Sequence, residues 1–213
     1  MSIKLNSKEL RKVEAESIST HVEKLNRNPV TLILENIYDT YNIGGLFRLA
    51  DGLAVEKVYL CGETETPPNN RIHKASCGTY KVVPWEYCQT AKEAIEKFRQ
   101  EYIANQYDHA NENKGSLHPR QSSWSRDDER VVNIQSPSVI AIEQASNSKP
   151  YTKITPSSPL ALVVGNESYG VTKETLDACD AIAEIPMWGI NKSLNVIISA
   201  GIVSYHYISQ MGK

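Results

Sequence analysis

The chain has 213 residues, 40% of them hydrophobic, and a formal net charge of −2. That is enough for one compact core, and it excludes an overall polycation, so any surface for nucleic acid has to be local or built from more than one copy. Cys61, Cys77, Cys88 and Cys179 never form a C-x-x-C pair and the five histidines are scattered, so no metal site is expected; no leader or bilayer-spanning run is evident, and the chain reads as cytoplasmic with free thiols.

In chain order, Asn6 followed by Glu9 is a capping-box start. Leu10, Val13, Ile18, Val22 and Leu25 then recur at helical spacing up to Asn28-Pro29, so residues 1–28 read as an N-terminal helical extension. Its polar side mixes Lys8, Arg11, Lys12 and Lys24 with acids, as a solvated or RNA-facing surface would. Val30 to Leu34 predicts a buried strand, Asn42 to Leu53 a helix with Leu46, Leu49, Ala50 and Leu53 on one face, and Val55 to Cys61 a second strand. Strand, polar glycine-bearing turn, helix and strand make a βαβ unit with a parallel pair.

After the Pro67-Pro68-Asn69-Asn70 loop and a short basic stretch, Tyr80 to Trp85 predicts a third strand. Thr90 and Glu93 cap an amphipathic helix carrying Ala91, Ala94, Ile95, Phe98 and Tyr102. From about 105 to 136 large aliphatic residues almost vanish, which predicts a flexible polar insertion in which Trp124 could stack on a base. Val139 to Ile142, Leu160 to Val164 and Ala183 to Ile185 complete about six strands. A last helix carries Val196, Ile197, Ala200, Val203 and Tyr207, with Ser193 as its expected cap. The pattern predicts an α/β fold, a mainly parallel sheet flanked by helices, with ligands beyond the carboxyl ends of its strands.

Three turns carry polar residues there: Asn42 and Arg48, Gly165 and Glu167, and Ser193 and Asn195. Neither G-x-G-x-x-G at the first βα turn nor a Walker A motif is present, so a dinucleotide- or nucleotide-dependent metabolic enzyme is weakly supported.

Taken together, Asn42-x-Gly44-x-x-x-Arg48, Gly165-Asn166-Glu167-x-x-Gly170, and Ile185-Pro186-Met187 with Ser193-Leu194-Asn195 resemble the signature motifs of the SpoU (TrmH) family, RNA ribose 2'-O-methyltransferases of the SPOUT superfamily. Ser76-x-Gly78 and the Ile142-Glu143-Gln144 strand end add to the resemblance. It covers about residues 29–208 apart from the insertion, and makes 29–213 a SPOUT methyltransferase domain. The resemblance implies a C-terminal trefoil knot, S-adenosylmethionine as cofactor, a homodimer with its site at the interface, a tRNA or rRNA substrate, and no metal. By the same resemblance, Ile142, Gly165, Ile185 and Leu194 would contact the cofactor, while Asn42, Arg48, Glu167, Ser193 and Asn195 are the candidate catalytic set. A guanidinium is a poor base, so Arg48 is expected to grip the phosphate beside the target ribose and align its hydroxyl. A non-catalytic RNA-binding homologue of the same fold is the alternative.

Overall fold

The computed structural model describes residues 4–12, 22, 25–112 and 136–211, with side chains undescribed from 105 to 112. Helix α1 (Ser7–Lys12) opens with the expected reciprocal box: Glu9 N–H donates to Asn6 Oδ1 at 3.1 Å and Asn6 N–H to Glu9 Oε2 at 2.8 Å. Val13 and Ile18 of the predicted stripe lie outside the described residues, and Leu25 lies in no helix.

The sheet contains β1 (Asn28–Glu35), β2 (Val55–Cys61), β3 (Trp85–Cys88), β4 (Ser138–Ile142), β5 (Lys149–Pro150), β6 (Leu160–Val164) and β7 (Ala181–Glu184). Their order is β3-β2-β1-β6-β4-β7-β5 and every pairing is parallel. The central strands are apolar on both faces because helices cover both. Leu32, Leu34 and Leu162 pack under α2 (Thr40–Gly52) and α6 (Val196–Gln210). Ile33, Ala161 and Val163 pack under α4 (Ala91–Glu112) and α5 (Lys173–Ala178).

Three expectations change. Tyr80 to Val83 is not a strand: Gly78, at φ 88°, turns the chain into a 3-10 helix over Thr79–Lys81, and the third strand is Trp85–Cys88. Pairing is taken up only where Trp85 meets Val58. A seventh strand, β5, leaves no mark in the sequence pattern because it is two residues long and contains a proline. Helix α4 runs to Glu112, into the stretch expected to be an insertion; residues 113–135, with Trp124, lie outside the described part.

Helix α3 (Asn70–Ser76) sits directly against α2. A Cβ on Gly44 would lie 2.4 Å from Ala75 Cβ and 2.8 Å from the Ser76 backbone nitrogen. The glycine of the first motif is therefore a packing requirement, since backbone cannot yield as a side-chain tip can. Gly44→Ala should cost about 1–3 kcal/mol through overpacking, despite alanine's better helix propensity. Thermal unfolding should then fall by several degrees, on the order of 2–4 °C per kcal/mol for a chain this long; an unchanged midpoint would show that α3 is free to move aside.

Candidate active site at the carboxyl ends of the strands

Helix α2 is capped by Asp39, whose side chain accepts from Tyr41 N–H at 2.8 Å. One turn in, Asn42 is 7% exposed, and both ends of its amide are engaged. Its Nδ2 donates to Glu167 Oε1 at 2.9 Å, and its Oδ1 accepts from Asn195 Nδ2 at 3.0 Å. Asn195, not Ser193, caps α6: its side chain accepts from Ile197 N–H at 2.9 Å. Ser193 lies two residues upstream, where its N–H donates to Asn191 Oδ1 at 3.3 Å. Both are capping residue types, and the sequence pattern does not separate them. One chain of hydrogen bonds thus joins the three motifs: α6 start to α2 start to the loop after β6.

Glu167 also accepts from Tyr38 N–H and Asp39 N–H, each at 3.3 Å, so its carboxylate covers the donor-rich end of α2. Burial pushes this carboxyl up, but the bonds from Asn42 and from backbone N–H groups outweigh it, and the group is held below the usual glutamate value. A depressed folded-state value means stabilisation that is present at neutral pH and is lost as pH falls through that value. Glu167→Gln should remove this contribution. Its melting deficit against the parent should be largest near pH 7 and narrow toward about pH 3, when melts are compared across that range; a constant deficit would assign the carboxylate no such role.

The loop after β6 is closed tightly on itself. Asn166 and Gly170 exchange backbone hydrogen bonds of 3.1 and 2.9 Å, and Asn166 Oδ1 accepts from Ser168 and Tyr169 N–H. Its amide donates to Asn36 O at 2.7 Å, which ties the loop to the end of β1. Glu143 Oε2 accepts from Val171 N–H at 3.0 Å, and Gly170, at φ 69°, leaves room for that carboxylate. Behind it Glu35, 5% exposed, accepts from Thr172 N–H, Thr172 Oγ1 and Thr175 Oγ1 and fixes the start of α5. Sequence reasoning missed the roles of Glu35 and Asn36. The available signal was a carboxylate ending an otherwise apolar strand, with an amide beside it.

These loops enclose a cavity of about 810 Å³. Ile142, Val164, Ala183, Ile185 and Leu194 give it an apolar wall, and Gly165, Glu167, Ser193 and Asn195 also line it, with Asn42 beneath. Gln144, from the β4 end, donates to Lys192 O across the mouth. The structure therefore brings every predicted site residue to one cavity except Arg48. Asp39, Glu143 and Glu167 contribute carboxylates, and no lysine or arginine is among the lining residues.

Arg48 is exposed and does not line the cavity. It lies six residues beyond Asn42, about 9 Å further along α2. It follows Gly44 by one turn, on the side that faces α3. Burial pushes the Cys77 thiol up, but a bond involving Ser7, the Arg11 guanidinium 3.3 Å from the sulfur and, after them, the Arg48 charge hold it below its usual value.

The profile of the SpoU rRNA Methylase family matches residues 29–132 and 128–205. A 23S rRNA (guanosine-2'-O-)-methyltransferase of Neisseria meningitidis serogroup B is 26% identical over 182 residues, 85% of this chain and 59% of that protein, so the chain spans about six-tenths of that relative's length. The AdoMet-bound rRNA methyltransferase of Sinorhizobium meliloti shares the fold at a TM-score of 0.64 and 21% identity, over 94% of this chain and 72% of its own. AviRb, a SpoU methyltransferase of Streptomyces viridochromogenes solved with AdoMet, shares it at 0.63 and 17%, over 88% and 62%.

Proposed function

The chain belongs to the SpoU rRNA Methylase family, and from that premise we propose that it methylates a ribose 2'-hydroxyl of structured RNA with S-adenosylmethionine (AdoMet). The observation that carries this reading is the cavity itself: an apolar wall for a purine, a polar rim, three carboxylates and no cation among the lining residues. Such a site suits a cationic sulfonium and repels a polyphosphate, which favours AdoMet over the nucleotide-dependent alternative. Ile142, Gly165, Ile185 and Leu194 would hold the cofactor; Glu167, Asn195 and Asn42 keep the loops in register, and Ser193 stands on the rim.

AdoMet would supply an electrophilic methyl group for the ribose 2'-oxygen, which would give up its proton as it is methylated. The protein's part is to exclude water, align the hydroxyl in line with the methyl group, and fix the neighbouring phosphate. That last task needs a cation, and among the described residues the cavity has none of its own. We assign it to Arg48 of a second copy of the chain. Tyr41 on α2, Ile198 and Tyr205 on α6, and Trp188 and Ile190 in the loop before α6 are 52 to 103% exposed, an apolar surface that a homodimer would cover.

The return path after β7 supports a C-terminal knot. β7 lies beyond β4, yet α6 packs back beside α2, where Ile197 meets Gly45. The connecting segment therefore crosses from the β7 side of the sheet to the α2 side, and the bond from Gln144 to Lys192 O ties it to the end of β4 on the way. No described helix is long and apolar enough to cross a membrane, and an RNA substrate would fit a cytoplasmic protein. Because the Neisseria relative is named as a 23S rRNA methyltransferase, ribosomal RNA is the first substrate to try, with tRNA second.

The test is incubation of the purified protein with methyl-tritiated AdoMet and protein-free total RNA, followed by alkaline hydrolysis. A methylated 2'-oxygen cannot attack its phosphate, so label should survive in alkali-resistant dinucleotides. Label only in mononucleotides would indicate base methylation, and no label would favour the non-catalytic homologue.

A further inference from the structure

Elsewhere among the described residues five cations form ion pairs, while the exposed Lys149, Lys153 and Lys192 form none. Lys57 pairs with Glu86 and Glu101, Lys97 with Glu86 and Glu93, Lys92 with Glu174, Arg99 with Asp180, and Lys173 with Asp177. The surface built from α1, α3 and the far half of α2 is different. Lys8, Arg11, Lys12, Arg48, Arg71 and Lys74 are all exposed there, and none forms an ion pair among the described residues.

These residues are held together by direct packing. The carbonyl of Leu10 lies 2.9 Å from where a Cβ on Gly78 would stand, so α1 docks on the turn that ends α3. Arg11 Nη2 donates to Lys74 O at 3.4 Å and approaches Cys77 Sγ, beside which Arg48 also acts. Arg71 and Lys74 are three residues apart, on one face of α3. The nearby Glu9 and Glu65 accept hydrogen bonds from Asn6 N–H and the Asn69 amide, and among the described residues neither forms an ion pair with a cation of this surface.

Like charges gathered without counter-charges cost stability unless a polyanion covers them. We propose that this surface of α1 and α3, continuous with Arg48, is a track for the phosphate backbone of the RNA flanking the target ribose. The inference rests on the methyltransferase reading, because Arg48 is the residue that would carry the strand from the track into the cofactor cavity. It also reconciles RNA binding with a net charge of −2, because the positive field of the track is local.

The test compares Lys8→Glu/Lys12→Glu and Arg71→Glu/Lys74→Glu with Lys92→Glu/Lys173→Glu, which makes the same change in net charge on a paired face. Binding of protein-free ribosomal RNA is titrated across salt, with AdoMet affinity and thermal melting as checks on folding. Both track variants should bind RNA more weakly, on the order of tenfold, and the slope of log affinity against log salt should fall by about one for each phosphate the variant no longer neutralises. AdoMet affinity should not move, and the Lys92/Lys173 variant should match the parent.

Equal losses in all three variants, or none in the track variants, would overturn the proposal. Should a charge reversal fail to fold, Arg71→Gln/Lys74→Gln gives the same reading with roughly half the effect. If the parent protein methylates no RNA, the methyltransferase reading itself fails. If it methylates and the track variants retain the parent's salt slope, only the track fails.

Discussion

Replacing Arg48 by alanine should leave the fold and AdoMet affinity intact and lower ribose methylation by about 10²–10³-fold, the loss typical of one well-placed donor. Its side chain is exposed and has no ion-pair partner among the described residues, so truncation should alter stability by no more than about 0.5 kcal/mol. Its proposed work is done only when the substrate strand is present, gripping the phosphate beside the reacting sugar. Arg48→Lys should recover part of the rate, because an ammonium keeps the charge but loses the planar fork. Single-turnover methylation beside calorimetric AdoMet titration checks both, and an unchanged single-turnover rate would remove Arg48 from the mechanism.

Gly165→Ala should act on the opposite quantity. An added Cβ would stand 2.3 Å from both Gly170 C and Val171 N and 2.4 Å from Gly170 O, all backbone atoms of the closed turn after β6. The turn must open, which also disturbs the Asn166 and Glu143 bonds that shape the cavity. AdoMet binding should weaken by at least tenfold and stability should drop by about 1–3 kcal/mol; parent-like affinity would show that the turn does not form the cofactor wall.

Mixing the two variants tests the proposed two-chain site. If each cavity takes Arg48 from the other copy, a mixed dimer joins one intact cavity to one intact guanidinium. Random assortment makes half the dimers mixed, each with one working site, so roughly a quarter of parent activity should return. No recovery, in a mixture shown to exchange subunits, would place both residues in the same subunit's site.

The parallel sheet was legible because β1, β2 and β6 contain the apolar runs Leu32 to Leu34, Val58 to Cys61 and Leu160 to Val164, a pattern that a strand covered on both faces requires. The turn residues were legible as types, since only short amides, glycines and carboxylates suit crowded strand ends. What stayed hidden were choices between equivalents. Asn195 and Ser193 can each cap α6, and only the reach to Asn42 decides between them. Tyr80 to Trp85 reads as a strand until Gly78 is seen in its left-handed conformation, and the residues of α4 from Asn105 on read as a polar insertion although the helix continues to Glu112. Arg48 was the hardest case: its motif spacing places it near Asn42 along the chain, while the helix carries it to another face.

The strand order also bears on synthesis. β1 lies between β2 and β6, and Val30 finds its partner Leu160 about 130 residues later. At typical elongation rates the ribosome needs on the order of 10 s to supply that partner. Throughout that interval one edge of an almost entirely water-excluding strand remains unpaired, which invites association with neighbouring nascent chains. Fragments ending before Leu160 should therefore precipitate or engage chaperones, and the protein's yield in cells should depend on how quickly translation passes that point.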